Sequence, residues 1–145
     1  VTPSARKYRT FLFTIARYFL AVVFIASAIG KAINPHDFYS FVSSLPFPSL
    51  LSTSYFLAVI VTAEVILAIL LIVKRAVYWG AILSSCALLA FLVVLIFASN
   101  NAATTPCGCF GGLATDHSIE TSILTDVILL LLTAMIIHLF GQSAE

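Results

Sequence analysis

Residues 50–98 read LLSTSYFLAVIVTAEVILAILLIVKRAVYWGAILSSCALLAFLVVLIFA. Two apolar runs, Leu50 to Val73 and Val77 to Ala98, flank a turn that carries Lys74 and Arg75, and the remaining charge is Glu64. Each run is long enough to cross about 30 Å of hydrocarbon at about 1.5 Å per residue. The stretch therefore reads as a transmembrane helical hairpin. Two runs of the same kind lie on either side of it, so the predicted spans are about 11–33, 50–73, 77–98 and 119–140. The chain of 145 residues is 61% hydrophobic and 9% charged. An ordinary soluble domain runs at about 45–50% apolar and about 25% charged. An all-α membrane protein is expected, one four-helix domain over 1–145, with no room for a separate soluble catalytic domain.

The formal net charge of +1 creates no global field for nucleic acid or an acidic substrate. The positions of the charges say more. Arg6, Lys7 and Arg9 precede the first span, Lys74 and Arg75 sit between the second and third, and the loops 34–49 and 99–118 contain no Lys or Arg. Because basic loops are held on the cytoplasmic side, both termini are predicted inside and these two loops outside. Tyr78 and Trp79 suit an interfacial aromatic belt. Ala26-Ser27-Ala28 has the look of a signal cleavage site, but the apolar stretch is long for a signal core and is expected to be retained as a span.

In the first outer loop, Phe38, Phe41, Val42 and Leu45 recur at helical spacing, with His36, Asp37, Ser40, Ser43 and Ser44 on the other side. This predicts a short amphipathic helix on the membrane surface or over the mouth of the bundle. Asn34 suits its cap, Pro35 its first position, and Pro46 and Pro48 its end.

The second outer loop carries Pro106-Cys107-Gly108-Cys109-Phe110-Gly111-Gly112. Cysteines two apart have Cα atoms roughly 5.5–7 Å apart, at the edge of what a disulfide bridges, so a bond there is strained and easily exchanged. Gly108 widens the backbone conformations open to the pair. Three readings stand: a redox-active pair, an inert staple or free thiols, or two metal ligands completed by Asp116 and His117. A zinc site calls for four ligands at familiar spacings, and one close pair is present. Cys86, beside Ser84 and Ser85 inside the third span, reads as a helix-packing residue.

Ionisable residues within spans are costly and are functional candidates. Counted from the span ends, Arg17 is expected to pair with Glu64, and Lys31 with Asp126. Such pairs either hold the bundle together or let Glu64 or Asp126 relay protons. His36 and His117 share the outer face with the cysteines and are candidates for lowering a thiol pKa or moving a proton. His138 reads as interfacial.

An Arg early in span one, Gly30-Lys31 followed by Asn34-Pro35 and Phe38, Glu64 in span two, and Cys107-Gly108-Cys109-Phe110-Gly111 before span four resemble the DoxX-like superfamily, and within it the MauE branch of methylamine utilisation membrane proteins. The resemblance implies a small protein of the bacterial cytoplasmic membrane that supports disulfide chemistry. It implies Cys107 and Cys109 as the redox pair, Arg17, Lys31 and Glu64 as intramembrane polar positions, and a thioredoxin-like or exported cysteine-containing partner. The competing reading is a non-catalytic accessory subunit of a larger membrane complex. A more distant similarity is to the quinone-linked four-helix oxidoreductases of the vitamin K epoxide reductase and DsbB type. Those carry Cys-x-x-Cys and further outer cysteines, whereas loop 34–49 here has none, which weighs against a bound quinone. No cofactor is expected.

Overall fold

The computed structural model describes residues 3–43, 54–100 and 119–141, all of them helical or in short turns between helices. Five helices follow in chain order: α1 Pro3–Ile33, α2 Pro35–Ser43, α3 Ser54–Ile72, α4 Val77–Asn100 and α5 Ile119–Gly141. Four are long and apolar enough to cross a membrane, over Thr10–Ile33, Ser54–Ile72, Val77–Phe97 and Glu120–Leu139. The first helix begins well before the predicted span at residue 11, through Arg6 and Lys7, which are good helix formers without being apolar.

The four long helices form a ring in which α1 packs on α3, α3 on α4, α4 on α5, and α5 back on α1. Their outward faces carry Phe19, Val22, Val59, Ile69, Leu89, Val93, Leu124 and Leu131, all exposed. An apolar surface this continuous suits hydrocarbon as its solvent. Asn34 N–H donates to the Gly30 carbonyl at 3.0 Å where α1 ends. Pro35 then opens α2, a position where its missing N–H is no loss.

Two packed clusters hold the ring at opposite ends. Toward the α3–α4 turn, Leu20, Leu71, Ala81 and Ile136 are almost wholly buried with Ala16, Ala68 and Val77. At the other end α2 buries Phe38, Phe41 and Val42 against Leu95 of α4, with Phe56 and Ile60 of α3 and Ile123 of α5 packed around them. The Phe38 and Phe56 rings stack with centroids 6.2 Å apart, a favourable offset arrangement.

Near the turn, α3 and α4 touch backbone to backbone. A Cβ built on Gly80 would stand 3.0 Å from the Leu70 carbonyl carbon and 3.1 Å from Leu70 Cβ, and small residues are what permit such approach in membranes. Gly80→Leu is therefore expected to destabilise the bundle by about 1–3 kcal/mol, as overpacking does, with Gly80→Ala milder. Thermal unfolding in detergent checks this; a Gly80→Leu protein that melts like the wild type would refute the close contact.

Ser84 is fully buried, and among the described residues its Oγ has no hydrogen-bond partner. Cys86, expected in helix packing, is exposed. At about 100° per residue the two point to opposite sides of α4, so the packing role falls to Ser84.

Candidate functional site

Three side chains from two helices meet inside the ring. Ser27 and Lys31 stand one turn apart on α1, which puts them on the same face, and Glu64 projects from the middle of α3. Lys31 Nζ lies 2.5 Å from Glu64 Oε1 and donates to Ser27 Oγ at 2.6 Å. Ser27 Oγ in turn donates to the same carboxylate oxygen at 3.0 Å. The Lys31 side chain is 4% exposed and that of Glu64 16%. Removing two charges from water is expensive, and their attraction offsets it only when hydrogen bonds are well placed, which Ser27 supplies. Among the described residues Glu64 Oε2 has no hydrogen-bond partner.

These residues form one wall of a cavity of about 360 Å³ lying between the two packed clusters. The opposite wall comes from α5, where Ser122 and Asp126, one turn apart and both buried, join Thr125. The rest of the lining is apolar, including Phe24, Leu67, Leu88, Phe91 and Leu129. The buried residues of α3 are Leu67, Ala68 and Leu71, all toward the turn. Its other half faces the cavity and α2.

The expected Arg17–Glu64 pair does not form. Glu64 is engaged by Lys31, and with Lys31 level with Glu64, Arg17 lies about 21 Å away along α1 by helical rise. No side chain spans that distance. Arg17 is instead buried near the other cluster, where its Nη2 donates to the Tyr18 hydroxyl at 3.2 Å and its guanidinium carbon stands 4.8 Å from the Tyr18 ring centroid. Among the described residues its Nε has no hydrogen-bond partner. Lys31 and Asp126, the other expected pair, line the same cavity, and Glu64 is a carboxylate partner of Lys31.

Cys107, Cys109, Asp116 and His117 lie outside the described residues. The segment that carries them leaves α4 at Asn100 and enters α5 at Ile119, at the end of the bundle where α2 packs. Ser122 of the cavity wall is less than one turn from Ile119, and Val94 is about 9 Å along α4 from Asn100. His36, on α2, is exposed at the same end.

The profile of the methylamine utilisation protein MauE family matches residues 9–140. This chain belongs to the MauE family. The match takes in all four long helices, α2 and the cysteine-bearing segment. Family membership identifies a membrane protein and points to an accessory role in the membrane. Neither a curated protein nor a solved structure matches the chain.

Sequence reasoning named Lys31, Glu64 and Asp126 but not Ser27, the bridge between the first two. Its signal was the spacing of four residues to Lys31 on one helix face. The cavity itself had no signal in the sequence, since a wall of Phe, Leu and Ala reads the same as packed core.

Proposed function

We propose that this MauE-family protein is the membrane component of a thiol–disulfide relay of the bacterial cytoplasmic membrane. It exchanges electrons with a thioredoxin-like or exported cysteine-containing protein on the extracytoplasmic side through Cys107 and Cys109. The observation that carries the reading is the Pro106-Cys107-Gly108-Cys109-Phe110-Gly111-Gly112 run on the segment between α4 and α5, which starts and ends at the end of the bundle away from Lys74 and Arg75. Basic residues are retained on the cytoplasmic side. A strained Cys-Gly-Cys bridge outside would meet oxidising conditions and exchange readily. A thiolate of the partner attacks one sulfur of the bridge, forming a mixed disulfide and releasing the other sulfur as a thiolate. The partner's second thiolate then resolves the mixed disulfide, leaving the partner oxidised and Cys107 and Cys109 reduced, with two electrons transferred. The reverse order reduces the partner.

A second reading, a non-catalytic accessory subunit of a larger membrane assembly, draws on family membership. A membrane-impermeant thiol reagent applied to intact cells separates the two. The relay predicts labelling of Cys107 and Cys109 that appears only after mild reduction and disappears in the Cys107→Ser, Cys109→Ser double variant. Cysteines inaccessible under both conditions, in a protein whose assembly and activity survive their loss, would leave the accessory subunit.

A further inference from the structure

Of the seven Lys and Arg residues, all but Lys31 belong to the half of the bundle nearest the α3–α4 turn: Arg6, Lys7 and Arg9 in the first turns of α1, Arg17 farther along it, and Lys74 and Arg75 in the turn. The described acids are elsewhere. Asp37 and Glu120 belong to the opposite end, and Glu64 and Asp126 to the cavity. Arg17 is the most demanding of the cations, because a guanidinium keeps its charge in any protein environment. It is 5% exposed within a span, and its Nε has no hydrogen-bond partner among the described residues. Its Nη2 donates to the Tyr18 hydroxyl, and its guanidinium carbon stands 4.8 Å from that ring's centroid. Tyr18 faces outward and is 45% exposed. One hydroxyl therefore connects a buried charge to the outer surface of the ring of helices.

We infer that Tyr18, backed by Arg17, binds the head-group phosphate of an anionic phospholipid in the leaflet at this end of the bundle. The inference needs neither the relay reading nor the direction of the chain across the membrane. A phenolic hydroxyl both accepts and donates. Its oxygen takes the Nη2–H bond, which leaves its proton for an acceptor outside the ring of helices. The guanidinium behind it polarises that proton and attracts a negative acceptor across a few ångströms of low-dielectric protein. An oxyanion meets both demands. Arg17 lies about 10 Å along α1 from Thr10, and helical side chains lean toward the helix N-terminus, here toward the nearer membrane surface. That lean carries both polar ends toward the level of the head groups. Beyond Tyr18 the outward stripe continues through Val22, Ile25 and Ile29, all exposed and at helical spacing, and gives an acyl chain its bed. The basic residues nearer the surface draw anionic lipid to this end. Phosphatidylcholine carries its own cation beside the phosphate, so charge selects against it.

Native mass spectrometry of the purified, delipidated full chain in detergent tests this, with phosphatidylglycerol and phosphatidylcholine of equal chain length offered at equal concentration. One phosphatidylglycerol should be retained with a preference of about tenfold or more, the usual scale of a hydrogen bond to a charged group. Tyr18→Phe keeps the ring and removes the hydroxyl, and should cost most of that preference; Arg17→Leu should do the same. Tyr18 is on the surface, so its variant decides the matter even where Arg17→Leu does not fold. Lys74→Ala with Arg75→Ala should lower total lipid uptake and leave the single preferred lipid in place. Equal retention of the two lipids, or a preference that survives Tyr18→Phe, overturns the inference. So does a preference that is lost only with Lys74 and Arg75, which would mean diffuse surface charge. Displacement of the lipid by millimolar inorganic phosphate would assign the site to a soluble anion and overturn it as well.

Discussion

Replacing Lys31 with Met is expected to destabilise the folded bundle by about 3–5 kcal/mol, the usual cost of leaving one member of a buried pair uncompensated. The partner left behind is Glu64, whose Oε1 now accepts from both Lys31 and Ser27. With the lysine gone, one hydroxyl donor remains for that oxygen, and Asp126 sits across the same cavity as a second carboxylate. The sign of the effect reverses in the double variant. Lys31→Met with Glu64→Leu removes both desolvation costs and fills the space with apolar volume, a replacement that is often neutral or stabilising for buried pairs. The double variant should therefore be more stable than Lys31→Met alone. The measurement is reversible unfolding in mixed micelles, run as a double-mutant cycle. Additive single effects would mean that the contact carries no energy. The same cycle on Arg17 and Glu64, which sit about 21 Å apart along the bundle, should return a coupling within about 0.5 kcal/mol of zero.

The largest functional effect falls on Cys107 and Cys109. Changing both to Ser should reduce thiol exchange with the partner to the uncatalysed background, because the sulfur that is attacked and the sulfur that leaves are both gone. The single variants should differ from the double and from one another. With one cysteine replaced, the remaining thiolate attacks the disulfide of an oxidised partner and releases the partner's other sulfur as a thiolate; the mixed disulfide has no second thiol on this chain to resolve it, so a covalent adduct accumulates and is released by reductant. Non-reducing electrophoresis of membranes from each strain reads this directly. Cys86→Ser should have no effect, since Cys86 lies within α4 and faces out of the ring. An adduct that forms equally in the Cys107→Ser, Cys109→Ser double variant would show that another thiol carries the exchange.

Much of the scaffold was legible because hydrocarbon is an undemanding reader. Runs such as Val77 to Phe97 need only length and low charge to become helices of this kind, and both are counted residue by residue. The buried face of α2 was legible too, since Phe38, Phe41 and Val42 recur at the helical period. The long helices offered no such pattern. They are apolar all round, so periodicity does not tell which side meets lipid and which meets another helix.

The sequence alone determined that Lys31, Glu64 and Asp126 would be exceptions inside a membrane bundle, because the cost of a buried charge belongs to the residue and its span. Only the tertiary structure decided who meets whom. The level of α1 against α3 is set by packing at Leu71 and Leu20 and by α2 over the end of α1, and it puts Lys31 rather than Arg17 beside Glu64. A shift of a few residues along either helix leaves every residue's composition unchanged and every partnership different. For that reason the charges were visible in the sequence, while their pairing and the cavity they line came from the contacts between helices.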